Sequence, residues 1–408
     1  MKEIKGGVCA PKGFLAGGIR CGIKAGSQKK DLALIYSQKP CNAAGVFTSN
    51  KVKAASVRVS QESVADGKLR AIIANSGNAN ACTGQAGMDA ARRMACAAAS
   101  ALSSIEPSDV AVASTGVIGV PLPVEAIEKN IGALKAALRN DEQGHADALE
   151  AIMTTDTRKK EFAVEIEIGG NTARIGAMTK GSGMIHPNMA TMLAFITTDA
   201  AVERDALDSA LRRAVKRSFN RLTVDGDTST NDMVLVMANG EAGNTSLTVE
   251  SAGYEIFSGA LEKVCVELTR KMARDGEGAT KLVTVTVTGA GNEETAEALA
   301  KSVASSSLVK AACFGADANW GRVLCAMGYA GVDFDPEKTD VSFKSSSGEI
   351  EVCKDGGTVQ FSEEKAKEIL SREEIEILIR LGEGDAKASV WGCDLTYDYV
   401  KINGDYRS

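Results

Sequence analysis

Six short runs of apolar and β-branched residues recur along the chain: Ala71–Asn75, Val110–Ser114, Phe162–Ile168, Leu193–Thr197, Met233–Met237 and Leu282–Val287. Runs of this length, most with Gly, Asn or Ser close by, predict β-strands. Between them the period changes. Val124, Ile127, Ile131, Leu134 and Leu138 are spaced by three and four, which places them on one face of an amphipathic helix. Val202, Ala206, Ala210, Ala214 and Phe219 outline the buried side of a second helix, with Asp199 as its predicted N-cap. Arg212, Arg213, Lys216 and Arg217 fall in that helix's last turns, where positive charge suits the dipole. The alanine-rich stretch 84–101 predicts a third helix, with small side chains that suit close packing between layers. Strand and helix patterns that alternate in this way predict the α/β class.

A chain of 408 residues has the length of two or three domains, at about 150 residues each. No internal repeat and no low-complexity linker divides it. With 44% apolar and 25% charged residues the composition is globular. The net charge of −6 gives no electrostatic footprint for nucleic acid or for an anionic membrane, so neither is an expected partner. The ten cysteines are scattered without a CxxC pair, which argues against zinc, and no metal is expected. The first residues lack the apolar core of a signal peptide, and no run approaches the roughly 18 apolar residues of a membrane span. The expected setting is a reducing cytoplasm with free thiols.

Candidate chemistry concentrates in one loop, Lys180-Gly-Ser-Gly-Met-Ile-His-Pro-Asn-Met-Ala-Thr191, which runs directly into the Leu193 strand. A threonine preceded by a small residue can attack the carbonyl before it, cut the chain and become an N-terminal residue. It then carries nucleophile and base together, because its freed α-amino group can take the hydroxyl proton. The two histidines, His145 and His186, stand in no recognisable nucleophile context, so a Ser-His-Asp or Cys-His arrangement has little to work with. Ser114-Thr115-Gly116-Val-Ile-Gly119 follows a strand and can offer a hydroxyl and backbone N–H groups to an oxyanion, or form an ordinary glycine turn. Asn75-Ser-Gly-Asn-Ala-Asn80 reads as a polar loop. Asp225-Gly-Asp-Thr-Ser-Thr-Asn-Asp232 is rich in oxygen ligands but lacks the EF-hand pattern, and reads as a hydrogen-bonded structural loop. Arg274-Asp-Gly-Glu277-Gly sets an acid between two glycines, suited to a substrate ammonium group or to a surface turn.

Taken together, Lys180–Leu193, Ser114–Gly119, Thr223–Asp232, Asp275–Lys281 and Ile402-Asn-Gly-Asp-Tyr-Arg resemble the ornithine acetyltransferase family of arginine biosynthesis, also called glutamate N-acetyltransferase or ArgJ. The resemblance spans nearly the whole chain. It implies a layered α/β sandwich of stacked mixed sheets flanked by helices, of the self-cleaving N-terminal-nucleophile type, a layout related to that of certain aminopeptidases. It implies a cut between Ala190 and Thr191, giving an alpha chain of residues 1–190 and a beta chain of residues 191–408. The two chains intertwine in one catalytic unit with a smaller C-terminal α/β subdomain and assemble as a heterotetramer of two alpha and two beta chains. Thr191 becomes the acetyl-accepting nucleophile, and Thr115 and Gly116 match the oxyanion-hole pair. Thr154, Lys180, Thr191, Glu277, Asn403 and Ser408 match the substrate-binding positions. Ser408 stands where Thr is as readily expected in the family, and Gly404 where Ala is familiar; each leaves the hydroxyl or the turn in place. The implied reaction is acetyl transfer from N-acetylornithine to glutamate. No cofactor is implied, and acetyl-CoA stays open as an alternative acetyl donor.

Overall fold

The computed structural model describes residues 1–24, 26–186 and 192–405. In chain order the larger part comprises β1 (Lys2–Ile4), β2 (Phe14–Ile19), β3 (Leu32–Phe47), α1 (Ala55–Ser63), β4 (Lys68–Asn78), α2 (Gly84–Ala101), β5 (Val110–Val117), α3 (Val124–Ala136), α4 (Glu142–Ile152), β6 (Lys160–Ile168), β7 (Asn171–Lys180), β8 (Leu193–Thr198), α5 (Arg204–Arg217), β9 (Met233–Ala238) and α6 (Tyr254–Arg274). These strands hydrogen-bond in the order β1-β6-β7-β8-β9-β3-β4-β5, with β2 added to β3.

The path is continuous, but the packing shows two stacked halves. Side chains alternate across a strand, so the parity of each strand sorts its residues into layers. On β8, Ala194 and Ile196 join α5 and α6 in one apolar cluster, while Leu193 and Phe195 face a second cluster. That second cluster also holds Ile72 and Ala74 of β4 and Ala111 and Ala113 of β5. The opposite faces of β4 and β5, with Ile73 and Val112, pack against α2 and α3. The order of layers is therefore helices, sheet, sheet, helices. The sixteen-residue β3 carries the chain from one half to the other: its first part pairs with β4 and its last part with β9, with a register break between Tyr36 and Cys41. The layered α/β architecture with stacked sheets is the one expected from the sequence.

A second, six-stranded sheet follows, built from β10 (Leu282–Ala290), α7 (Glu293–Ser305), α8 (Ser307–Phe314), α9 (Trp320–Gly328), β11 (Asp340–Ser345), β12 (Gly348–Lys354), β13 (Gly357–Thr358), α10 (Glu363–Leu370), β14 (Glu374–Arg380), β15 (Ala386–Cys393) and α11 (Tyr397–Asp405). It has its own apolar cluster, in which Val285, Val287 and Ile377 meet Leu299, Val303 and Ile369. Trp391 and Cys393, at the end of β15, belong instead to the cluster of the first sheet. The Thr223 amide bonds to the Trp391 carbonyl across this junction at 2.9 Å.

Each of the six predicted strands lies within an observed one, and α2 spans residues 84–101 as expected. The cap of α5 differs from expectation. Glu203, not Asp199, occupies the N-cap position of α5, because the Asp199 carboxylate already accepts from the Arg174 amide at 2.6 Å and the Lys12 amide at 3.0 Å. Asp199 thus ties β7 to the N-terminal segment.

No described helix is long and apolar enough to cross a membrane.

The N-terminal turn packs against β7 at Gly176. An added Cβ there lies 1.8 Å from the Gly7 carbonyl oxygen, a contact that only backbone movement relieves. Gly176→Ala is expected to lose about 1–3 kcal/mol or more of stability, as overpacking does, and urea denaturation of the variant against the native protein measures it.

Candidate active site

One pocket opens where the C-terminal ends of β5 and β7 approach the end of α4, the turn after α6 and the last helix. Thr115, Gly116, Thr154, Lys180, Glu277 and Asn403 all line it, with Ser229, Thr230 and Asn231 from the segment before β9. These residues come from six separate stretches of sequence, and every described position expected to bind substrate or hold an oxyanion is among them. Ala190, Thr191 and Ser408 lie outside the described residues.

The Thr115–Gly116 corner is held from behind. β4 and β5 run parallel with Ser76 opposite Thr115, and Gly116 has φ +134°, a conformation that favours glycine. A Cβ on Gly116 lies 2.4 Å from the Gly77 carbonyl carbon, so the close approach of the two strands also requires glycine. Ser114 Oγ donates to Asn75 Oδ1 at 2.7 Å, and Asn231 Nδ2 donates to the carbonyls of Ser114 at 2.8 Å and Ala79 at 2.6 Å. The Asn75–Asn80 stretch, expected as a loop, is ladder as far as Asn78. Its asparagines hold the segment after the strand: Asn75 Nδ2 donates to the Asn78 carbonyl at 2.9 Å, Asn78 Nδ2 to the Val120 carbonyl at 3.1 Å and Asn80 Nδ2 to the Gly87 carbonyl at 2.9 Å.

Lys180 ends β7 and is 5% exposed. Its Nζ donates to Thr115 Oγ1 at 3.3 Å. Burial lowers the Lys180 pKa, against the opposing charges of Asp156, Asp232 and Glu277. Thr155 and Ser182 share a hydroxyl hydrogen bond of 2.7 Å, and the Glu277 amide donates to the Ser182 carbonyl at 2.8 Å. Asn403 of α11 reaches over to donate to Glu277 Oε2 at 2.9 Å. Gly183 leaves room for this carboxylate, since an added Cβ meets Glu277 Oε2 at 2.2 Å.

The oxygen-rich segment 225–232 is structural, as its sequence suggested. Asp225 accepts from the amides of Met184 at 2.5 Å and Ile185 at 2.8 Å, which fixes the loop after Lys180. Asp232 is 2% exposed, and among the described residues neither of its carboxylate oxygens has a hydrogen-bond partner of good geometry. It stands at the start of β9, whose Met233 pairs with Leu193. Burial raises its pKa well above the usual carboxylate range, more than the Met192 amide and the Lys180 charge lower it.

Neither histidine lines the pocket. His145 is buried beside Val8, whose amide donates to Nδ1 at 3.3 Å, with Glu161 2.6 Å from Nε2. His186 shares a 3.0 Å hydrogen bond with Thr223. The ten cysteines are free and none lines the pocket. Among the described residues no group of three or more His, Cys, Asp or Glu is arranged to hold a metal.

Sequence reasoning missed Asp156 and Lys160 near this pocket, and it named Asp232 and Asp275 only as members of longer segments, with no role of their own. Lys160 Nζ lies 2.6 Å from Asp156 Oδ1 and 2.5 Å from Asp275 Oδ2, with all three side chains buried. Asp275 lies two residues before Glu277, in a segment whose local signal is the acid between two glycines. Lys160 carried no signal, since it sits in a run of charged residues, Arg158-Lys-Lys-Glu161, that reads as solvated surface.

A hydroxyl beside a glycine N–H, a buried cation and a carboxylate around one small cleft can bind a substrate carrying both charges and steady an oxyanion next to them. The fold and pocket together are those of a layered α/β enzyme equipped for acyl transfer without a histidine. The ArgJ family model matches residues 15–408, and the chain belongs to the ArgJ family. It is 55% identical to the arginine biosynthesis bifunctional protein ArgJ of Symbiobacterium thermophilum over 409 residues, all of both chains. It is 49% identical to the glutamate N-acetyltransferase of Methanothermobacter thermautotrophicus over 411 residues, covering 100% of this chain and 98% of that one. Among solved structures, the arginine biosynthesis bifunctional protein from Bacillus halodurans matches with a TM-score of 0.51 and 47% identity, over 53% of this chain and 100% of its own.

The raised pKa of Asp232 has a sign that can be checked. An acid whose folded pKa lies above its unfolded value of about 3.9 holds its proton in the native state. Stability is then lost as pH rises from the unfolded to the folded pKa, and stays lost above it. Asp232→Asn imitates the protonated acid. It is expected to be at least as stable as the native protein at pH 8 and to lose any advantage at pH 4 and below, as measured by urea denaturation.

Proposed function

We propose that the protein transfers the acetyl group of N-acetylornithine to glutamate through an acetyl-threonine intermediate on Thr191, after cutting its own chain between Ala190 and Thr191. The observation that carries this reading is the convergence on one pocket of Thr115, Gly116, Thr154, Lys180, Glu277 and Asn403. Family membership and the names of the full-length relatives supply the substrates.

The roles follow from residue chemistry. Lys180 meets the α-carboxylate that both substrates share, and Glu277, steadied by Asn403, meets the ornithine side-chain ammonium. Thr191 Oγ attacks the acetyl carbonyl while its α-amine takes the hydroxyl proton. Thr115 and the Gly116 amide stabilise the tetrahedral oxyanion. The C–N bond then breaks, the proton passes to the departing α-amine of ornithine, and the acetyl group stays on Thr191 as an ester. Glutamate enters, its amine attacks that ester, and the same proton path runs in reverse to release N-acetylglutamate. Thr154 and Ser408 complete the substrate contacts. Acetyl-CoA is a second donor to be tested on the same intermediate.

Chain topology supports the cut. β7 and β8 flank the junction and pair antiparallel from Ile175 opposite Thr198 to Lys180 opposite Leu193. β8 also pairs with β9 on its other edge. Cleavage between the two strands therefore leaves both products held in one sheet, as the expected intertwined alpha and beta chains require. The solved Bacillus halodurans chain fits the same reading, since it is matched in full yet covers 53% of this chain. The stretch 191–408 is 218 of the 408 residues, a share of the same size. A heterotetramer of two such pairs is the proposed assembly.

Thr191→Ala is expected to give one uncut chain on a denaturing gel and no ornithine release; two bands from that variant overturn the proposal. Gly116→Ala, which strains φ and displaces the strand end, is expected to lower kcat by about 10²–10³, the cost of one oxyanion donor. Steady-state assay of ornithine release with glutamate as acceptor measures it.

A further inference from the structure

Beneath the pocket, buried charges form a closed set. Asp156 Oδ1 accepts from Lys160 Nζ at 2.6 Å and from the Gly181 amide at 2.8 Å. Its Oδ2 accepts from the Thr154 amide at 2.9 Å. One carboxylate thus ties together the residue after Lys180 and the backbone of Thr154, two sides of the same cleft. Lys160 passes the connection on to Asp275 Oδ2 at 2.5 Å. Asp275 in turn accepts from the Thr157 and Arg158 amides and the Thr157 hydroxyl, two residues before Glu277. With Lys180, the set holds two cations and two carboxylates.

Resting on the reading of Lys180 as the substrate-carboxylate group, we propose that Asp156 and Lys160 are positioning residues for both substrates. Asp156 fixes the Thr154 and Lys180 sides of the cleft and supplies a negative charge that favours the cationic form of Lys180, while Lys160 offsets that charge and couples it to the Glu277 side. Neither touches substrate. Removal of either member leaves the buried set unbalanced, and the imbalance falls on Lys180. Among the described residues, Asp156, Asp232 and Glu277 favour the cationic form of Lys180, whereas Lys160 and Lys24 oppose it.

The two residues therefore push Lys180 in opposite directions, which a purely architectural role cannot do. A neighbouring buried charge moves a pKa by about one unit or more. In Asp156→Asn, the rise of KM for N-acetylornithine at alkaline pH is expected to begin about one pH unit lower than in the native enzyme. In Lys160→Met, it is expected to begin higher by about the same amount. In both variants kcat at pH 7 is expected to fall less than KM rises at the alkaline limb. Lys160→Arg, which keeps the charge, is expected to restore the native profile.

The experiment is KM and kcat against pH for N-acetylornithine with saturating glutamate, on variants shown by gel to be cleaved. Opposite displacements support the proposal. Two profiles that superimpose on the native one, or that move the same way, overturn it. Should Asp156→Asn not fold, the upward displacement in Lys160→Met decides alone. A native enzyme that transfers acetyl with no alkaline KM limb contradicts the role of Lys180 and not the transferase reading; a native enzyme without transfer contradicts the reading itself.

Discussion

The hydrogen-bonded ion pairs of Lys160 with Asp156 and Asp275 are the interaction on which the pocket depends. Taking charges out of water is costly, several kcal/mol for each ion even after relaxation, so these groups are tolerated only while each has its partners. The Asp156 carboxyl illustrates the balance. Burial alone raises its pKa, yet Lys160, Lys180 and the Gly181 amide outweigh that effect and hold it well below the usual range. Because the partners come from β6, the end of α4, the end of β7 and the turn after α6, satisfying the charges also sets how those elements meet. The geometry at the mouth of the cleft is inherited from its floor.

Much of the architecture was legible in the chain. Strands buried on both faces read as continuous apolar runs, and β8 and β9 are of that kind. Other elements were hidden for identifiable reasons. β3 is interrupted by Ser37-Gln-Lys-Pro40 just where it crosses between the two halves, so its pattern breaks where its pairing changes. β7 begins Asn171-Thr-Ala-Arg and lacks an apolar run. β11 and β12 alternate with charged residues on a half-exposed sheet. Asp199 shows the limit of capping rules, because a distant amide pair had the stronger claim on its carboxylate.

The site divides in the same way. Local chemistry revealed the Thr115–Gly116 turn, the Lys180 loop and the Glu277 turn as candidates, and family resemblance joined them. The residues that support them from behind did not show. Asn231, Asp156 and Lys160 act through partners 4 to 152 positions away in sequence, and no spacing rule encodes such contacts. Among the described residues no histidine lines the pocket, and the proposed base is an amine that a cut before Thr191 would free.

The proposed acetyl-threonine on Thr191 is tested most directly by the mass of the enzyme during turnover. The purified protein is incubated with N-acetylornithine in the absence of glutamate, denatured in acid and analysed by intact-chain and peptide mass spectrometry. The account predicts two chains, with residues 191–408 heavier by one acetyl group, the modification on Thr191, and its loss when glutamate is added. A single unmodified chain that still transfers acetyl, or an acetyl group that is carried elsewhere and passes to glutamate, contradicts it.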